Sequence, residues 1–313
     1  IFIGHGVGAL GIAGLAVTFP FINLAAAFGS LVGVGASTLV SVKMGQKDLK
    51  SAEAVLGNVL LLNTVIGFLF MTVCLIFLDP ILYFFGASAD TLPYARDYMK
   101  VILYGNLITH IYMGLNEVMR ASGYPQRAMM ATLFAVLING VLNALFIFVL
   151  DMGIKGAAIA SVLAEASSIL FFLIYTYISV DLKKYGLNRL RSFDPALLMR
   201  ILSISCFTML QYFLSMATWF VFFVAVERLG QRELAIANIV RSIYVVLLIP
   251  VNALATTTNS LVSNAIGAGG IQYVMPLINK IARFSFFIML GLVGLSVLFP
   301  QFLLSVYTSE AAL

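Results

Sequence analysis

Eight long stretches of this chain are almost free of charge, and that pattern limits what it can fold into more than any other feature. They run over 6–42, 54–78, 101–116, 128–150, 156–180, 201–226, 234–266 and 284–309, and only the fifth and seventh contain a charged residue, Glu165 and Arg241. In lipid a backbone must satisfy its own N–H and C=O groups, so a spanning chain is either a helical bundle or a closed barrel. A barrel strand needs only ~10 alternating residues, whereas a helix needs ~20 continuous apolar ones. These runs do not alternate, so they predict helices. The third has only 16 uncharged residues, and its helix is expected to begin earlier, near Asp97. Composition agrees: 62% of residues are hydrophobic and 10% charged, against about 25% charged in a soluble domain. The expected fold is an all-α, multi-pass membrane protein.

The net charge of +5 does not mark a nucleic-acid partner, because the bases are sorted by side. Lys43, Lys47, Lys50, Arg120, Arg127, Lys183, Lys184, Arg189, Arg191, Arg200, Lys280 and Arg283 fall in alternate loops, twelve of the eighteen. The positive-inside rule puts those loops in the cytoplasm and both ends of this chain outside. Cys74 and Cys206 lie mid-helix and suggest packing rather than a disulfide or metal framework. The opening "IFIGHGVGALGIAG" has no Met, no basic n-region and no cleavage site, so it reads as the interior of a larger protein.

"STLVSVKMGQ" (37–46) resembles "NSLVSNAIGA" (259–268), and "LGIAGL" (10–15) echoes "LAIANI" (234–239). Both matches fall on the first and seventh helices, six helices apart. An even spacing implies a parallel repeat about an axis along the membrane normal. A repeat of that size implies two lobes of six helices, one helix preceding the first seen here and four following the last. The expected division is a first lobe at 1–180, a cytoplasmic linker at 181–198 that includes most of "VDLKKYGLNRLRSFDP", and the first half of a second lobe at 199–313.

"VMRASGYPQRAMM" (118–130), "NGVLNALFIF" (139–148) and "GIKGAAIAS" (153–161), together with "GQKDLKSAE" (45–53), resemble the multidrug and toxic compound extrusion (MATE) family. The resemblance covers essentially the whole chain, as the family's second to ninth helices. It implies a secondary antiporter that exports small organic, often cationic, compounds in exchange for H⁺ or Na⁺ by alternating access. It further implies a plasma-membrane location, a monomer among membrane lipids, and no cofactor beyond the coupling ion. One branch of the family uses a fifth-helix Asn/Asp pair and a sixth-helix Thr. These map to Asn139, Asn143 and Ser161, with Asn143 standing where the family has Asp. Another branch needs a seventh-helix Glu, which maps to Gln211. Neutral amides in both places argue against Na⁺ ligation and for proton coupling.

The residues support a site independently. Asn139 and Asn143 stand four apart and share a helix face. Counted from the short "DMGIKG" turn, they match Glu165 and Ser161 in depth on the next helix. Glu165 comes out about 15 Å down, near the midplane of a ~30 Å core. Carboxylates there are expensive and mark cavities or proton paths. One polar ladder of Asn139, Asn143, Ser161 and Glu165 is therefore expected between the fourth and fifth helices. Asn106 and His110 share a face of the third helix, and a titratable role for His110 is open. Arg241 either snorkels outward or faces a central cavity. Glu117 and Arg120, three apart, read as an ion pair. Pro20 and Pro250 fall within the first and seventh helices and are expected to kink them.

A lipid-linked oligosaccharide flippase is the nearest alternative, but its pyrophosphate would want several cations in the cavity, and only Arg241 and His110 offer themselves. With only His5 and His110, there is no H-E-x-x-H, metal-ligand spacing or Ser–His constellation to suggest an enzyme.

Overall fold

Without water to compete for backbone groups, each uncharged run closes its own hydrogen bonds and becomes a helix. The computed structural model describes residues 9–179, 194–227 and 230–298, together with Ile3 and Val7. Its helices are α1 (Ala9–Gly45), α2 (Leu49–Ile76), α3 (Leu78–Phe84), α4 (Leu92–Ala121), α5 (Pro125–Ala144), α6 (Gly153–Ser179), α7 (Pro195–Glu227), α8 (Gln231–Gly267) and α9 (Val274–Leu298). A π-helical stretch, Leu145–Val149, prolongs α5, and a 3₁₀ turn, Ile271–Tyr273, precedes α9. No strand occurs among the described residues. All eight expected runs are helical where described; most of the expected linker (180–193) and the end of the last run (299–309) lie outside the described residues.

Seven of these helices are long and apolar enough to cross a membrane. The eighth, α4, is more polar but has 30 residues, about 45 Å of helix. The short α3 is an addition to the sequence reading. Phe77 leaves helical geometry at the end of α2 (φ −103°, ψ 22°), and Asp79 and Pro80 then fit the first turn of a new helix. Pro20 and Pro250 both lie inside continuous helices. The helices matched in the sequence repeat, α1 and α8, both end on a glycine, Gly45 and Gly267.

Local chemistry fixes the turns. Asp48 caps α2, its Oδ1 accepting from the Ser51 N–H at 3.2 Å. The bonds from Ser51, with Lys43 beside it, hold the Asp48 carboxyl below its ordinary range. Between α4 and α5, "ASGYP" supplies a glycine at φ +92° (Gly123) and a proline in the first turn of α5, the residues a helix stop and restart require.

The chain divides into two compact units, 1–209 and 210–313. In the first, α4 is the central helix, packed on α1, α2, α5 and α6. The start of α7 also belongs here. Ile201 is fully buried among Val32, Ala36, Val55 and Val59, and the Asp194 N–H donates to Asn58 Oδ1 at 3.1 Å. Two apolar cores fill this unit. One, at the end away from the basic loops, holds Phe21, Leu82, Met99, Leu103 and Ile147. The other, at the basic end, holds Val32, Val40, Val55, Val59, Val118 and Ile201. Along α4 the first core stops at Leu103 and the second begins at Val118, leaving a polar belt between them. In the second unit α8 packs on α9, and the Trp219 ring lies 5.5 Å from that of Tyr244. Its apolar faces, including Val245, Ile249, Phe286 and Leu290, point outward, as lipid-facing residues do.

Candidate functional site: the polar belt around α4

The belt has two faces. On the first, α5 and α6 approach α4. Gly105 makes the close packing possible, because a Cβ there would lie 2.7 Å from Val162 Cγ1 and nearer still to its Cγ2. Across this seam Asn139 Nδ2 donates to Ser161 Oγ at 3.1 Å, and Ser161 Oγ donates in turn to the Ala157 carbonyl at 3.1 Å. Asn143 Nδ2 bonds both the carbonyl and Oδ1 of Asn139, each at 2.8 Å. The buried Tyr98 of α4 lies beside Ser161. Farther along, Tyr112 OH lies 3.0 Å from Thr132 Oγ1, to which Asn116 Nδ2 donates at 3.2 Å.

Glu165 corrects the sequence reading. The expected single ladder does not form, because the Glu165 carboxylate turns to α4 and accepts a hydrogen bond from the Thr109 hydroxyl. The depth count paired Ser161 with Asn143 and Glu165 with Asn139. Instead Ser161 takes its bond from Asn139, one turn along, and the longer Glu165 side chain reaches α4, a helix the count did not consider. The network therefore has two branches, Ser161–Asn139–Asn143 and Thr109–Glu165. Among the described residues no cation pairs with Glu165. The expected Glu117–Arg120 ion pair is present at 3.7 Å.

The second face of α4 meets α1 and α2. Asn106 Nδ2 donates to the Gly67 carbonyl at 3.1 Å, and His110 Nδ1 lies 2.9 Å from the Asn106 carbonyl. The shared face expected for Asn106 and His110 is thus real, and both side chains are buried. Asn63 of α2, also fully buried, sits on Gly114.

The sequence reading missed Tyr98, Thr109, Tyr112, Asn116 and Asn63. The first four follow a 98–109–112–116 spacing that lays them on one face of α4, rather than the face of the Asn106 and His110 pair that the sequence reading singled out. No group of three His, Cys, Asp or Glu residues that could hold a metal ion occurs among the described residues.

The pattern of the MatE family matches residues 1–145 and 201–313. The chain belongs to the MatE family. Multidrug export protein MepA of Staphylococcus haemolyticus (strain JCSC1435) is 32% identical over 164 residues, 52% of this chain and 36% of that protein. MepA of Staphylococcus aureus (strain MRSA252) is 30% identical over the same shares. The matched stretch thus spans about a third of these relatives' length. Among solved structures, an outward-facing multidrug resistance MATE family transporter of the MOP superfamily has a TM-score of 0.89 at 25% identity, over 99% of this chain and 72% of that one. A MOP superfamily transporter from Pyrococcus furiosus, 24% identical, shares the fold with a TM-score of 0.88 over 99% of this chain and 69% of that one.

This MatE chain is a multi-pass protein of the plasma membrane, from a family of transporters rather than enzymes. Of the positions that its family resemblance singled out, Asn139, Asn143 and Ser161 meet in one hydrogen-bonded cluster. Gln211 and Arg241 lie in the second unit, on α7 and α8, with the Gln211 side chain exposed and that of Arg241 half-buried.

Proposed function

We propose that this chain forms the membrane part of a secondary antiporter that exports small organic, often cationic, compounds against proton entry by alternating access. The observation that carries this reading is Glu165, a carboxyl near the middle of its helix bundle, held by one hydroxyl and by no cation among the described residues. An unpaired charge at that depth is costly, so a proton can be exchanged there with large effect on the surrounding packing. Thr109 suits both states, since a hydroxyl donates to a carboxylate and accepts from a carboxylic acid.

The Ser161–Asn139–Asn143 branch supplies polar groups one turn away on α6. It orients α5 and α6 so that proton loss at Glu165 is felt across the seam. Substrate binding releases the proton, and reprotonation expels the substrate. The amides Asn143 and Gln211, where carboxylates would favour Na⁺, support H⁺ as the coupling ion. The transporter works as a monomer among membrane lipids.

The test is transport by the full-length protein in proteoliposomes with imposed pH and Na⁺ gradients. Efflux of a cationic dye is expected to follow the pH gradient. Efflux driven by Na⁺ at constant pH would overturn the proton reading.

A further inference from the structure

The α1–α2 face of α4 carries a feature that antiport through Glu165 does not use. His110 and Asn63 are both completely buried, yet His110 Nε2 and both polar atoms of the Asn63 amide have no hydrogen-bond partner. Buried polar atoms are nearly always satisfied, so three orphans in one place need a cause.

Their positions are linked. Asn63 rests on Gly114, and His110 faces Gly67, whose added Cβ would lie 3.3 Å from its Cγ. Residues 63 and 67 stack one turn apart on α2, as 110 and 114 do on α4. The two side chains therefore sit diagonally across the α2–α4 contact, one helical turn apart along it. The His110 tautomer is also fixed. A carbonyl can only accept, so the Asn106 carbonyl at 2.9 Å from Nδ1 requires the proton on Nδ1 and leaves a lone pair on Nε2. Asn106 is itself tied to α2 by its bond to the Gly67 carbonyl.

We propose that His110 and Asn63 form a second proton-binding site, separate from Glu165, with the proton taken up at His110 Nε2. In the neutral state, as in the structure, neither the Nε2 lone pair nor the Asn63 amide is bonded. When Nε2 gains a proton from water, the amide turns over and Oδ1 accepts from the new N–H. The turn breaks no bond, because neither end of the Asn63 amide is otherwise engaged.

The surroundings leave this exchange to the pair. On α1, Gly29 faces the ring, and the only charge among that helix's residues is Lys43 at its basic end. On α2, Phe70 lies 6.1 Å from the ring, Cys74 is one turn beyond it, and Lys50 and Glu53 are confined to the first turns. On α4, Glu117 is two turns away and paired with Arg120. Glu165 of α6 lies on the far side of α4, bonded to Thr109.

The site is tested by histidine-selective ¹⁵N spectroscopy of the full-length protein in lipid nanodiscs, with His110→Gln identifying the signal. Nδ1 is expected to carry the proton at neutral pH, and Nε2 to take one up reversibly in a single step on acidification. Asn63→Leu is expected to weaken that uptake about tenfold while leaving Nδ1 protonated, the loss of one hydrogen bond to a charged group. In Glu165→Gln the His110 titration is expected to be unchanged. The proposal is overturned if Nε2 stays bare until the native protein unfolds, if Asn63→Leu titrates like the native protein, or if the His110 step vanishes with Glu165.

Discussion

Toward α5 and α6, the polar side chains of α4 end on partners: Thr109 on Glu165, Tyr112 and Asn116 on Thr132. Toward α1 and α2, the same helix holds Asn106 and His110 Nδ1 firmly but leaves His110 Nε2 and the facing Asn63 amide with nothing. Both faces lie in the same belt between the same two apolar cores, so depth does not explain the difference. A closed network specifies how helices meet, because each bond fixes the next. An open one costs stability and is retained where something else is bound for part of the time.

The largest effect should come from the α6 side. Glu165→Gln keeps the shape and the Thr109 contact but cannot exchange a proton, so pH-driven efflux from proteoliposomes is expected to fall to background while purified yield and unfolding midpoint are unchanged. Native transport by this variant would remove the functional difference between the faces.

The glycines that let helices approach on each face offer the next comparison. In Gly105→Ala the new Cβ falls on Val162, whose branched side chain has little freedom. Overpacking of about 1–3 kcal/mol is expected, offset in part by the ~1 kcal/mol helix preference of alanine. In Gly114→Ala the Cβ instead meets the unbonded Asn63 amide, which can swing aside, so the loss should be smaller. Reversible unfolding in mixed micelles ranks the two, and equal losses would show that the Asn63 amide is not free to move.

Replacing an amide by leucine should then have opposite signs. Asn139→Leu strands Ser161 and Asn143 and is expected to destabilise by about 1 kcal/mol. Asn63→Leu removes two unsatisfied atoms and should be neutral or stabilising by a similar amount, even as it weakens proton uptake at His110. That pairing of gained stability with lost function is common where a site is kept for use rather than for packing. The smallest change is Tyr112→Phe: Thr132 keeps Asn116, so about 0.6 kcal/mol is expected on the same unfolding measurement.

The helices were legible because an uncharged run in lipid has one way to satisfy its backbone. That the asparagines of α5 meet Ser161 was legible too, since a short turn makes the two helices antiparallel, although the depth count matched Ser161 to Asn143 and the bond comes from Asn139, one turn away. Glu165 was not. Periodicity assigned it to the same face of α6 as Ser161, but two helices cover that face, and a sequence does not say which one a flexible carboxylate reaches. The spacing of Asn106 and His110 showed their common face, whereas Asn63 as their neighbour depends on α2 lying against α4, a contact between residues more than forty positions apart. The α3 break at Phe77 was hidden because the residues on either side are equally apolar.

The π-helical stretch Leu145–Val149 has a consequence for how this chain tolerates length changes. Five residues there are wound with Leu150 N–H reaching Leu145 O, one residue more than an α-helix would use. Deleting a single residue from this stretch would let ordinary helical bonding resume and turn everything beyond it by about 100°. Asn143, on the near side, would keep its bonds to Asn139, while Asp151 and the turn into α6 would be re-aimed. Such a one-residue deletion separates the spatial arrangement of the polar seam from that of the loop outside it, which no side-chain substitution can do.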